Sequence, residues 1–260
     1  LAAADPKRVL YAPAMNVNMF ENPAFQANMA TLKDRGSQFV EPEEGMLACG
    51  VYAKGRLAKV PAILDAVESF LAPKPLQGKR VLITAGATRE YIDPIRFLSN
   101  SSSGQMGVAL ARACRSYGAE VTLLLANSTL DAPGVDVIRV DTVADLYAAA
   151  LKVFPETDYL FAAAAVSDFK PAARSDSKIK KTGASLNIEL VPNTDVLFEL
   201  SQMKTHQKLI GFAAESEAML ANAKGKLERK KLDWIIANSL DNFARTSGKV
   251  WLVDAQEIDE

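Results

Sequence analysis

Residues 96–107, RFLSNSSSGQMG, place four serines, an asparagine and two glycines between a run that reads as a buried strand, KRVLITAG, and one that reads as a helix, GVALARACRSYG. Glycine reaches backbone angles that other residues avoid, and small polar side chains leave N–H groups open at a helix start, where partial positive charge gathers. Such a stretch is suited to a phosphate or a carboxylate. Ser103 by itself reads as a helix cap, but three consecutive serines followed by Gly104-Gln105-Met106-Gly107 read as an anion site. Asp168 offers a carboxylate to a metal ion or a proton. Lys178, Lys180 and Lys181 begin ten residues later, and Lys226 and Lys230 fall at i and i+4 on one helix face. Each lysine group taken alone reads as a solvated charge run. Converging on one crevice, they fit a nucleoside triphosphate with its magnesium ion.

The elements that must position these groups alternate from residue 79 onward. RVLITAG, AEVTLLLAN, VDVIRV and DYLFAAAAV read as strands, with helices over GVALARACRSYG and TVADLYAAALKVF, the latter capped by Thr142. SLNIELV follows, then the helix TDVLFELSQM, the strand KLIGFAA, a charged helix MLANAKGKLERKK, and the strands DWIIAN and KVWLVD. This pattern predicts a doubly wound, Rossmann-like α/β domain with a parallel sheet. The alanines at 162–165 end a strand with small side chains, so a ligand can approach the backbone there. Residues 1–72 form a separate block, with RVLYAPAMN as a strand, a helix near PAFQANMATLKDRG and a polar tail. LAPKPLQG, residues 71–78, reads as the linker to a second domain over 73–260.

A dinucleotide-dependent oxidoreductase is the alternative for a strand, a glycine loop and a helix. It needs a tight G-x-G-x-x-G turn after strand one and an acid at the end of strand two. Here seventeen residues separate Gly86 from Gly104, and strand two ends in Asn127, so both requirements fail. The long loop instead brings Arg89, Asp93, Arg96 and Asn100 around the crevice. Basic and acidic residues nearly cancel, 30 against 31, which disfavours nucleic acid or an anionic membrane as partner. Cys49 and Cys114 are far apart and lack metal-site spacing, and the lone His206 sits in the polar stretch QMKTHQK, reading as a solvated loop residue. A reducing, cytoplasmic setting is expected, and both chain ends read as truncations.

In order and spacing, ITAGATREYIDPIRFLSNSSSGQMG, AAAAVSDFKP, KIKK, GFAAE and the KxxxK helix resemble the synthetase part of the bifunctional phosphopantothenoylcysteine decarboxylase/synthetase family of coenzyme A biosynthesis. PAMNVNMFENPAFQAN and GMLACG are similar to the last portion of its flavin-dependent decarboxylase part, which would be the flavoprotein-type fragment over 1–72. The resemblance implies a ligase that joins 4'-phosphopantothenate and cysteine through an acyl-cytidylate, using CTP and Mg2+. It implies that Asn100 binds the acyl-cytidylate and that Lys178 meets the triphosphate. Asp168 contacts the nucleotide or its metal, Phe212 flanks the nucleotide, and Lys226 and Lys230 complete the cationic wall. Ala162, Ala163, Ala164 and the segment Thr194, Asp195, Val196 and Leu197 supply further nucleotide contacts. Thr194 stands where a proline is usual, and Phe20 replaces a tryptophan.

In the first block the resemblance makes Asn16 the holder of the substrate carboxylate and Cys49 a proton donor beside FMN. The flavin-binding half and a catalytic histidine have no counterpart, so this chain is expected not to decarboxylate unaided. The remaining implied partners are small molecules and a second copy of the synthetase part, as a homo-oligomer, in the cytoplasm.

Overall fold

In the computed structural model, residues 4–181, 183, 185–215, 225–239, 250–254 and 258–259 are described. Two compact units divide the chain, Leu1–Pro73 and Lys74–Glu260. In the first, the strand expected over RVLYAPAMN shortens to Leu10–Tyr11 (β1), because Pro13 removes a ladder donor and Asn16 turns the chain into the one-turn helix Val17–Phe20 (α1). Asn22 caps Pro23–Asp34 (α2). Gln38–Phe39 (β2) pairs parallel with β1, and Glu43–Met46 (β3) forms a hairpin with Tyr52–Arg56 (β4). The expected polar tail is instead the helix Val60–Leu71 (α3). Its Val60, Leu64 and Leu71 recur at helical spacing yet stay exposed, so they do not mark a core face.

The second unit is a mixed α/β fold with a mostly parallel central sheet. Arg80–Gly86 (β5) is followed by a small hairpin, Arg89–Tyr91 (β6) and Phe97–Ser99 (β7), inside the stretch that reads in sequence as a plain loop. Then come Gln105–Ser116 (α4), Glu120–Ala126 (β8), Asp136–Val140 (β9), Val143–Val153 (α5) and Tyr159–Ala162 (β10). A second hairpin joins Phe169–Pro171 (β11) to Leu190–Pro192 (β12), so SLNIELV becomes a strand only at its end. Val196–Gln202 (α6), Lys208–Glu215 (β13), Trp234–Ser239 (β14), Val250–Val253 (β15) and Ile258–Asp259 (β16) complete it. Residues 225–229 are helical, and the start of the helix expected over MLANAKGKLERKK lies outside the described residues.

The main sheet runs β16-β15-β14-β13-β10-β5-β8-β9, parallel from β9 to β14 and antiparallel in its last two pairings. Chain order therefore reverses between β5 and β10. Side chains alternate across each strand: Val81, Ile83 and Ala85 face α4 with Val108, Ala111 and Cys114, while Leu82 packs with Leu146, Ala150 and Leu200 of α5 and α6. Helices thus cover both faces, which is why strands β5 and β8 are apolar almost throughout. Thr142 and Asp145 form a capping box at the start of α5, as the sequence predicts for Thr142.

Two glycines allow close approaches at this sheet, Gly86 to β8 and Gly107 of α4 to β5. A Cβ on Gly86, at φ +82, would stand 1.9 Å from the Ala126 carbonyl oxygen, and one on Gly107 would stand 2.3 Å from the Ala85 Cβ. Gly107→Ala is therefore expected to push α4 off β5 and to destabilise the unit by about 1–3 kcal/mol, the usual cost of overpacking, read as a lower urea midpoint. An unchanged midpoint would show that α4 can shift without loss.

Candidate functional site

The ends of β5 and α4 fix the site's first component. Gly104 caps α4 at φ +83 without a side-chain bond to the helix, and the Ser103 hydroxyl reaches the Gln105 N–H only at 3.4 Å. The helix start therefore has first-turn N–H groups that lack an intrahelical partner. Asn100 lies beside it. Its amide nitrogen donates to the carbonyls of Ala165 and Val166, at 3.3 and 3.4 Å. Asn127, where a ribose-binding acid would stand in a dinucleotide enzyme, is occupied structurally: its amide donates to the carbonyls of Ala87 and Asp141, at 3.0 and 2.8 Å. That tie joins the ends of β5, β8 and β9.

A cavity of about 410 Å³ opens beside the reversal of strand order, at the carboxyl ends of β10 and β13. Ala162, Ala164 and Asp168 line it from β10 and its loop, Thr194 to Leu197 from the start of α6, Phe212 from β13, Lys226 from the helical residues 225–229 and Lys230 from the turn that follows them. Ala163 is not in the lining. Asn100 meets the cavity only through the carbonyls it holds. Sequence reasoning missed Thr84, Leu146, Leu160, Val166 and Leu200, which also line it. Ala165 closes the alanine run 162–165 and Asn193 lies within the stretch 192–197 that resembles a nucleotide-contact segment, whereas Thr84 carries no local signal because β5 reads simply as core.

The lysines here are already engaged. Lys226 donates to the Phe212 carbonyl at 2.7 Å, and Lys230 pairs with Asp195 at 2.7 Å. Asp195 also accepts from the Phe198 N–H at 3.1 Å, which starts α6 two residues later than the sequence reading. Lys178 does not line the cavity. It is exposed on a loop held by its neighbour Ile179, whose N–H donates to Asp93 at 3.1 Å and whose carbonyl accepts from Arg96 at 3.0 Å. Asp93 is fully buried and also accepts from the N–H groups of Ile95 and Arg96, at 2.9 and 2.8 Å, and from the Arg96 guanidinium at 3.1 Å. Burial alone would raise its carboxyl, but the three backbone N–H groups and the Arg96 charge hold it below the ordinary carboxylate value.

In the first unit, the Asn16 amide donates to the Cys49 sulfur at 3.1 Å, and the two line a cavity of about 440 Å³ with Met15, Met46, Leu47 and Leu57. The Asn16 carbonyl oxygen meanwhile caps α1 through the Asn18 N–H at 2.8 Å, which fixes the amide's direction. Cys49 is exposed. Cys114 is the opposite case, since burial pushes its thiol up to about 11 and leaves it unreactive. His206 lies on an exposed bend, as its polar neighbours predict. Among the described residues no cluster of three His, Cys, Asp or Glu could hold a metal ion, and no helix is long and apolar enough to cross a membrane.

A mostly parallel sheet with a lysine-walled cavity at its carboxyl edge, preceded by a unit with a thiol and an amide in contact, defines an α/β protein with a cavity in each unit. Residues 76–260 match the family described as DNA/pantothenate metabolism flavoprotein C-terminal domain, and residues 1–72 match the flavoprotein family. The chain belongs to this family of coenzyme A biosynthesis enzymes.

The coenzyme A biosynthesis bifunctional protein CoaBC of Bacillus subtilis (strain 168) is 44% identical over 245 residues, covering 92% of this chain and 60% of that protein. A protein named cysteine/cysteine sulfinic acid decarboxylase, from an unknown prokaryotic organism, is 43% identical over 258 residues, 95% of this chain and 72% of that one. The chain thus spans roughly three fifths to three quarters of the length of these relatives. A crystal structure of the C-terminal domain of CoaBC aligns with a TM-score of 0.62 at 36% identity, covering 72% of this chain and 87% of that one. The flavoprotein match supports FMN binding. The thioethers, leucines, amide and thiol around the first cavity fit the edge of a flavin.

The Asp93 carboxylate has a pH consequence. A carboxyl lowered in the folded state contributes stability that is complete above its unfolded value, near ~4, and is lost as pH falls through the folded value. Urea midpoints should therefore drop from about pH 5 downward in the wild type, and drop less in Asp93→Asn. Parallel acid limbs would remove Asp93 from the balance.

Proposed function

We propose that the second unit is a ligase that joins 4'-phosphopantothenate to cysteine at the expense of CTP. The observation that carries this reading is the meeting, on one cavity beside the strand-order reversal, of four segments separated in sequence: Ala162, Ala164 and Asp168; Asn193–Leu197; Phe212; and Lys226 with Lys230. Strand order and helices on both faces support the doubly wound, Rossmann-like description, which binds nucleotides at this position.

In this reaction the carboxylate oxygen of 4'-phosphopantothenate attacks the α-phosphorus of CTP, and the bond to pyrophosphate breaks. The cysteine amine then attacks the acyl carbon of the cytidylate, CMP leaves, and the amine gives up a proton. A carboxylate is already an adequate nucleophile, so positioning and charge neutralisation supply most of the rate. Lys226, Lys230 and Lys178 neutralise phosphate oxygens, and the α4 N–H groups suit a phosphate or carboxylate of either substrate. Asn100, poised against the Ala165 and Val166 carbonyls, turns its amide toward the acyl-cytidylate. Phe212 stacks beside the nucleoside, and the alanines at 162–164 let the backbone approach it. Asp168 would hold Mg2+, which would supply further charge neutralisation to the triphosphate.

Exposed Ile95, Phe97, Phe169 and Leu190 on the two packed hairpins suit a second copy of the chain, supporting a dimer. The cavity polarity and the balanced charge favour small-molecule substrates over nucleic acid.

A decarboxylase reading of the first unit is favoured by the Asn16–Cys49 contact. Asn16 would hold a substrate carboxylate and Cys49 would deliver a proton to the product side. FMN, when bound, supplies a two-electron acceptor. The two readings concern different units and are separated by product: pyrophosphate for the ligase, CO2 for the decarboxylase.

Pyrophosphate release should require phosphopantothenate and CTP, with ATP, GTP and UTP as comparisons, and amide formation should also require cysteine. Asn100→Asp should keep the fold and slow amide formation by on the order of a hundredfold, the equivalent of losing a transition-state donor worth about 3 kcal/mol. No pyrophosphate with any of the four nucleotides would sink the ligase, and full turnover in Asn100→Asp would remove that residue from the mechanism.

A further inference from the structure

We infer that Asp93 is a positioning residue, which docks the lysine loop 178–181 on the β6–β7 hairpin and so sets Lys178 for a nucleoside triphosphate. The inference rests on the nucleotide reading above and adds to it how the loop is held. Asp93 is at 0% exposure and cannot touch a substrate, yet its carboxylate accepts four hydrogen bonds. Those from the Ile95 and Arg96 N–H groups close the hairpin turn. The fourth comes from Ile179, 86 residues further along the chain. Arg96 takes the Ile179 carbonyl at 3.0 Å, so both backbone groups of the residue between Lys178 and Lys180 are held by one ion pair.

Two further ties hold the approach to this loop. The Ser175 N–H donates to the Ile92 carbonyl at 2.9 Å, and the Arg174 guanidinium lies 5.1 Å from the Tyr91 ring centre. The hairpin thus grips the loop by its backbone and leaves the lysine side chains outward. Lys178, Lys180 and Lys181 are all exposed. β7 then runs directly into Asn100 and the serine run, so the lysines and the α4 start are carried on one piece of structure. An undocked loop would have to be ordered anew by each nucleotide, with a loss of affinity.

Asparagine at position 93 breaks the arrangement selectively. Its amide nitrogen must face one of the N–H donors that the carboxylate now accepts, and Arg96 loses its counter-charge. Trypsin cleavage after Lys178, Lys180 and Lys181 should accelerate by about tenfold or more in Asp93→Asn that retains its circular dichroism and a cooperative melt, because cleavage tracks local opening. CTP affinity should fall by about tenfold with kcat changed much less. On a Lys178→Gln background, Asp93→Asn should add less than about twofold, since coupled residues are not additive. If Asp93→Asn does not fold, Arg96→Lys replaces it: lysine can reach Asp93 but not the Ile179 carbonyl as well, and the same bonds should open to trypsin.

Unchanged cleavage in a folded variant, or full additivity with Lys178→Gln, overturns the inference. The two proposals fail separately. Faster cleavage in a variant of a chain that binds no CTP sinks the nucleotide reading and leaves the docking standing, while unchanged cleavage beside normal CTP binding does the reverse.

Discussion

The close approach of α4 to β5 is the constraint from which the second unit's site follows. A helix carrying any side chain at position 107 could not lie where Ala85 now sits, and a Cβ at position 86 would collide with the neighbouring strand β8. Because the helix is held this near, its first turn ends against the carboxyl edge of the sheet. The strand-order reversal opens the cavity beside the same edge. The three glycines at 86, 104 and 107 thus do what a tight glycine fingerprint does in a dinucleotide fold, but with seventeen residues inserted between the first and second. The insertion keeps the helix geometry and replaces a bare turn with a hairpin that can carry further groups.

That hairpin would be unstable as two three-residue strands alone. Asp93 compensates by gathering donors from its own turn and from Ile179 around one buried carboxylate. A buried charge is costly unless fully hydrogen-bonded, and here four donors satisfy it. The same interactions that make the turn tolerable therefore also join two distant loops, so stability and site geometry rest on one side chain.

Legibility in the sequence followed where the burial lies. β5 and β8 are covered on both faces and read as continuous apolar runs, and the Thr142 cap of α5 is a local signal that survived intact. Features that depend on contacts far along the chain did not show. β10 stops at Ala162 instead of running through 166, because the chain there leaves β13 while Ala163 and Ala165 still donate to Thr84 and Gly86 of β5. The β6–β7 hairpin was hidden by its short strands and by Pro94, although Asp93-Pro94 is itself a turn signal. The helix α3 was legible in Val60, Leu64 and Leu71 with Pro61 in its first turn, and it was missed because the residues before it are polar. At the cavity, residue types identified the groups but not their partners: nothing in the spacing of Asp195 and Lys230 tells that they pair.

Those pairings fix the two lysines along the cavity wall. Lys230 is largely sheltered while Asp195 is nearly half exposed, so their ion pair stands in partial contact with water and contributes about 0–1 kcal/mol. Lys226 donates to the Phe212 carbonyl, one of the interactions that hold it at the cavity wall. Asp195 keeps its second role as the cap of α6 when Lys230 turns away, so exchanging partners need not unravel the helix that forms the cavity wall. A cationic wall built this way is held in position by partnered side chains, so its charges are not left buried and uncompensated, which would be costly.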